Sequence, residues 1–176
     1  LGSASELGIV PVEYSPVRED FVCYPVNDYG KSKLRQTQEA LRLAGELGFR
    51  CICPRVFNVL GGRAQEGTAV GDWCRQIVEM RKGSQEGILK TGDLSLVRDF
   101  IEMDDVIDIL VKLSGSEAAQ GVVNVGSGVG TSYREIVEVL KALSGLEFRV
   151  EEDEDFGSRG QRVPEVVADV VRLVEY

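Results

Sequence analysis

Tyr29 and Lys33 stand four residues apart in "DYGKSKLRQTQEAL", residues 28–41, where a helix opens. Positions four apart lie one above the other on a helix, which sets the ammonium of Lys33 close to the phenol of Tyr29. A tyrosine ordinarily keeps its proton to about pH 10 and is a poor acid or base near neutrality. A neighbouring cation favours the phenolate and brings such a group toward proton transfer. The spacing by itself is served as well by a solvated lysine beside a packed tyrosine. What else the chain brings to that turn decides between them.

Other chemistries are excluded by composition. Histidine is absent, which removes zinc–histidine sites and the Ser-His-Asp and Cys-His mechanisms. Cys23, Cys51, Cys53 and Cys74 lack a zinc-like C-x-x-C spacing, so no metal site is expected. Cys51 and Cys53 alternate within the apolar run "FRCICPRVFNV", where a strand points both to one face, and they read as core thiols. The chain has 176 residues, 43% hydrophobic, enough for one real core. Its net charge of −9 and pI near 4.7 are of the wrong sign for a nucleic-acid partner. No apolar run approaches the roughly 18 residues of a membrane span, and no signal peptide opens the chain, which reads as cytoplasmic.

The positioning elements follow from periodicity and punctuation. A loop with Pro11, Pro16 and Pro25 precedes a helix from Tyr29 to about Leu47, stopped by Gly48. "FRCICPRVFNVLG" is short, apolar and glycine-bounded, and reads as one buried strand leading into a loop. Further on, "TAVGDWCRQIVEMRKG" reads as a helix, "EGILKTG" as a strand, and "RDFIEMDDVIDILVKLSGS" as a helix starting near Asp104. "GVVNVGSG" is a strand ending in a glycine turn. "SYREIVEVLKALSG" is an amphipathic helix stopped by Gly145, "LEFRVEED" a strand, and "VPEVVADVVRLVEY" a mixed terminal segment. Helices and strands alternate, which predicts an α/β architecture with a parallel sheet.

Five stretches, in order, carry a resemblance: "LGSASELG", "YGKSK", "PRVFNVLGG", "VRDFIEMDDV" and "GVVNVGSGVGTSYREIV". They resemble the extended short-chain dehydrogenase/reductases, the NAD-dependent epimerase/dehydratase family. There a Ser/Thr-rich turn, a Tyr-x-x-x-Lys pair and an "RxFNxxGP"-like strand end follow one another at similar spacing. The run "IVEMRKGSQEGILKTGDLSLVRDFIEMDDVIDILVKL" is most similar to GDP-6-deoxy-mannose reductases.

The resemblance implies hydride transfer between NAD or NADP and a sugar carbon of a nucleotide-diphosphate sugar. Reduction of a 4-keto-6-deoxy sugar nucleotide is the first expectation; 4-epimerisation, 4,6-dehydration or non-catalytic binding of a nucleotide sugar are the alternatives. Tyr29 would move the proton at the sugar oxygen. Lys33 would bind the nicotinamide ribose and favour the phenolate of Tyr29, and Ser3, preferred over Ser5, would orient the same oxygen. Arg55 and Phe57 would line the nicotinamide. Asn58, Arg98 and Arg162 would contact the substrate, the arginines through its phosphates, with Arg159 competing for the place of Arg162. For Arg98 an ion pair with adjacent Asp99 is the plain alternative. Leu7 replaces the family's tyrosine and Gly62 its proline. "NVGSGVG" lacks the spacing of a dinucleotide fingerprint and reads as a strand-end turn near the substrate.

The family's "GxxGxxG" loop and its ribose-binding acid are not in this sequence. The resemblance implies roughly 100 residues before Leu1, forming the other half of the nucleotide-binding sheet, without which the chain should bind NAD(P) poorly and be inactive. The fold expectation is therefore a partial Rossmann-like parallel sheet with a small mixed α/β substrate-binding lobe. Residues 1–60 would carry the Ser/Tyr/Lys set. Residues 61–176 would form mainly the lobe, with a segment near 98–128 returning to the sheet. A homodimer through the helix of Tyr29 and Lys33 is also implied.

Overall fold

In the computed structural model, residues 1–61, 67–83, 87–153 and 163–176 are described. The chain begins with a short strand, β1 (Gly2–Ser3), that runs into a 3₁₀ turn over Ala4–Glu6. Ser3 and Glu6 cap that turn reciprocally, each side chain meeting the other end's backbone N–H. After the proline loop comes α1 (Asp28–Leu47), opened by Asn27, whose Oδ1 accepts Gly30 N at 2.7 Å. It closes at Gly48 in the left-handed conformation, φ 71°, as its sequence requires.

The apolar run after α1 forms two strands, where one was expected. β2 (Ile52–Val56) lies between β1 and β6 (Gly121–Val125), parallel to both. Buried Phe57 interrupts it, still donating its N–H to Val125 O at 2.9 Å. The chain then changes sheets as β3 (Asn58–Leu60), which pairs in parallel with β5 (Val97–Glu102). β5 was not foreseen as a strand; the helix expected near Asp104 follows it directly as α3 (Met103–Gly115). On its other edge β5 meets β7 (Gly130–Ser132), antiparallel, and β9 (Glu165–Val166), parallel.

Most of the remaining elements build a small α/β lobe. α2 (Ala69–Arg81) starts at Thr68, and α4 (Tyr133–Ser144) starts at the Ser132/Glu135 capping box and stops at Gly145. β4 (Ile88–Thr91) pairs in parallel with β8 (Arg149–Glu152), and a short α5 (Val171–Val174) packs on β6. Among the described residues three apolar clusters result. One joins Leu7, Val10 and Val17 to Phe57; one, around Trp73, Leu89 and Val137, fills the lobe; the third joins Val123 and Val125 of β6 to Val106 and Leu113 of α3. No helix among the described residues is long and apolar enough to cross a membrane.

Candidate active site

Ser3 sits at the end of β1, half-buried, where its Oγ accepts the N–H of Ser5 at 3.2 Å. That bond uses an acceptor lone pair and leaves the hydroxyl hydrogen to donate. Tyr29 lies in the first turn of α1 and is 59% exposed, so its phenol is presented to solvent rather than packed. Lys33, one turn on, donates to Gln36 Oε1 at 2.7 Å along the helix surface.

Gly30 brings this helix onto the β1 turn. A Cβ at Gly30 would lie 2.2 Å from the carbonyl oxygen of Ser5, so only glycine permits the approach. The structure therefore brings the turn bearing Ser3 and the helix opening at Tyr29 into direct contact.

Beneath that contact lies a polar cluster. Glu6 is fully buried and Arg55 is 3% exposed, with Arg55 Nε 3.4 Å from Glu6 Oε2. Arg55 Nη2 also donates to Cys23 Sγ at 3.4 Å, and burial, more than the opposing pull of Arg55, pushes the Cys23 thiol up. Arg55 is thus enclosed and its charge is met by Glu6. Phe57 is a core residue whose ring packs in the cluster of Leu7.

The second group of expected residues gathers on β3 and β5. Asn58 Nδ2 donates to Asp99 O at 2.9 Å. Arg98 does not pair with Asp99, because strand alternation sends the two side chains to opposite faces. Arg98 Nη1 donates to Val97 O at 2.7 Å and Pro164 O at 3.4 Å, and its guanidinium lies over the Tyr133 ring, 5.8 Å from the centroid. Burial draws the guanidinium below its ordinary value, with Tyr133 and Asp93 opposing the shift. Asp99 is fully buried instead: Oδ1 accepts Ser127 N and Oγ, and Oδ2 accepts Gly128 N and Ala168 N, at 2.7–3.1 Å. The "NVGSGVG" turn is thereby a loop wrapped on a carboxylate. Arg162, its competitor Arg159, and Gly62 lie outside the described residues.

Sequence reasoning passed over Glu6, Thr37 and Asp99. For Glu6 a signal existed, since Ser3-Ala4-Ser5-Glu6 has the S-x-x-E pattern of a capping box. A cleft of about 610 Å³ is lined by Ile9, Tyr14, Phe21 and Tyr24 of the proline loop. Ser3, Tyr29 and Lys33 do not line it. The site is therefore defined by its donor and acceptor geometry, with an open face.

Comparison with known proteins gives the family. The model of the NAD dependent epimerase/dehydratase family matches residues 1–126, and the chain belongs to that family. GDP-6-deoxy-D-mannose reductase of Pseudomonas aeruginosa is 29% identical over 153 residues, 87% of this chain and 50% of that protein. UDP-glucose 4-epimerase of Azospirillum brasilense is 34% identical over 152 residues, 76% of this chain and 42% of that one. The structure of RMD from Pseudomonas aeruginosa complexed with NADPH superposes with a TM-score of 0.89 at 28% identity, covering 99% of this chain and 56% of that one. The chain is Rossmann-like α/β, as its sequence led us to expect, and spans about half the length of the curated relatives it matches.

Proposed function

We propose that this chain supplies the proton-transfer set and substrate lobe of an NAD(P)-dependent nucleotide-sugar oxidoreductase, and that the reaction is reduction of a 4-keto-6-deoxy-sugar nucleotide. The observation that carries this reading is the contact between the Ser3 turn and the opening of α1, made through Gly30 and leaving the Tyr29 phenol exposed. Similarity to the Pseudomonas reductase favours reduction over the other chemistries of the family.

The residues present fit a nicotinamide cofactor. Tyr29 is accessible, half-buried Lys33 donates to a neighbouring glutamine amide oxygen, and the Ser3 hydroxyl retains its hydrogen. Tyr29 and Lys33 would hold the ribose, and the strand end at Arg55–Phe57 would wall the ring with backbone and apolar surface. When bound, the cofactor supplies or accepts the hydride at the sugar carbon. Ser3 donates a hydrogen bond to the substrate carbonyl oxygen and orients it. Tyr29 passes its phenolic proton to that oxygen, and the Lys33 ammonium stabilises the phenolate left behind. Asn58 and Arg98 face the nucleotide diphosphate, for which the planar Arg98 guanidinium keeps donors beyond those used on Val97 and Pro164. Arg162 is kept as a further phosphate contact. Residues 1–60 act as the catalytic half and 61–176 mainly as the substrate lobe, the chain pairing with a second copy through α1.

The test is turnover of GDP-4-keto-6-deoxy-mannose with NADH or NADPH by a polypeptide joining this chain to a glycine-rich nucleotide-binding half. Tyr29→Phe is expected to lower kcat by about 10²–10⁴-fold. The chain alone is expected to be inactive. Absence of turnover in both proteins would reject this substrate, and epimerisation of a UDP-sugar by the same polypeptide would establish the epimerase alternative.

A further inference from the structure

Glu6 has no exposed surface, yet three elements direct donors at its carboxylate. Ser3 N and Thr37 Oγ1 both donate to Oε1, each at 3.0 Å, and Arg55 Nε approaches Oε2 at 3.4 Å. The space for this carboxylate exists because residue 2 is glycine: a Cβ there would lie 2.7 Å from Glu6 Oε1. Thr37 lies one turn beyond Lys33 and two beyond Tyr29, on the same side of α1. The other anchor of that helix is Gly30 on the Ser5 carbonyl. The two anchors bracket Lys33. An apolar side chain could fill the same volume, but it would hold neither the Ser3 backbone nor the helix by directional bonds.

We propose that Glu6 is a positioning residue: by holding Ser3 N and the Thr37 hydroxyl on one oxygen, it fixes the Ser3 hydroxyl relative to the Tyr29 phenol and the Lys33 ammonium. This rests on the function proposed above. The catalytic groups touch substrate and cofactor, whereas Glu6 acts through the elements that carry them.

The test uses Thr37, because losing its hydroxyl loosens the link without leaving Arg55 unpaired. Thr37→Val removes the bond and Thr37→Ser retains it. In ligand-free protein, amide hydrogen exchange in residues 28–37 and 2–6 is expected to quicken about tenfold in Thr37→Val, with α4 unchanged and Thr37→Ser like wild type. In the joined, active polypeptide, kcat of Thr37→Val is expected to fall about 10–100-fold while KM stays within about twofold, and Thr37→Ser is expected to restore it. Unchanged exchange in the first turns of α1, or equal quickening in α4, would overturn the proposal. So would wild-type kcat in Thr37→Val where Tyr29→Phe is inactive. If Tyr29→Phe stays active, the functional reading fails on its own, and the exchange pattern still tests the link.

Discussion

Asp99 and Ser127 are joined twice: the N–H and the hydroxyl of Ser127 both donate to Oδ1 of Asp99, at 2.7 and 2.8 Å. With Gly128 N and Ala168 N on Oδ2, this one carboxylate ties β5 to the turn after β6 and to the segment before α5.

Asp99→Ala would leave those N–H groups without their acceptor in a buried place. Hydrogen bonds to a charged group contribute about 1.5–3 kcal/mol each, and lost partners add desolvation cost. Urea unfolding is expected to show a loss of at least about 3 kcal/mol. Asp99→Asn should also destabilise, since an amide nitrogen cannot accept both bonds on one side.

Two glycines of α1 should respond in opposite directions to alanine. At Gly30 the new methyl meets the Ser5 carbonyl, so Gly30→Ala is expected to cost about 1–3 kcal/mol and to depress turnover by displacing the helix opening. At Gly45 nothing lies within 4 Å of the added Cβ, and Gly45→Ala should stabilise by about 0.5–1 kcal/mol. Thermal midpoints of the two variants check the contrast.

Removing one member of the Glu6–Arg55 pair is expected to be worse than removing both. Glu6→Ala strands a guanidinium that is 3% exposed, a loss of about 3–5 kcal/mol. Adding Arg55→Met to that variant should recover part of the loss, because the uncompensated charge is gone. Denaturant titration of the single and double variants measures the coupling.

Alkaline pH should weaken the fold through Cys53. Burial, followed by the hydrogen bond with Cys51, whose Sγ lies 3.8 Å away, pushes this thiol up to about 11. An unfolded cysteine ionises near about 8.5, so the folded state holds the proton more tightly. The resulting stability is full below about pH 8.5 and is lost as pH rises toward about 11. Between those limits the urea midpoint of wild type should fall more steeply than that of Cys53→Ala, and parallel falls would count against the shift.

The helices were legible because their signals are local. Gly48 and Gly145 stop α1 and α4 where their periodicity ends, and both adopt positive φ. β5 was not legible because Asp99 occupies an inward strand position that a binary pattern reserves for an apolar side chain. Its donors come from residues 127, 128 and 168, a distance in sequence that no window spans. The break at Phe57 has the same origin: "CPRVFNVL" carries no local stop signal between Val56 and Asn58, and the partners β6 and β5 divide it. Of the candidate site, the Tyr29 and Lys33 spacing was readable as a helix repeat. The enclosure of Arg55 was not, because its counter-charge lies 49 residues earlier.

The chain's one tryptophan, Trp73, is buried and meets Tyr133 edge-on at 5.3 Å, and Tyr133 in turn lies under Arg98. Selectively excited tryptophan emission is therefore a local optical probe: it reads the surroundings of Trp73 and Tyr133, away from the opening of α1. If Arg98 meets the nucleotide diphosphate as proposed above, adding that ligand should change the emission as the guanidinium leaves its ring, whereas circular dichroism reads the helices of both halves, the 20-residue α1 among them. Unfolding curves that fail to coincide between the two signals would reveal halves that melt separately.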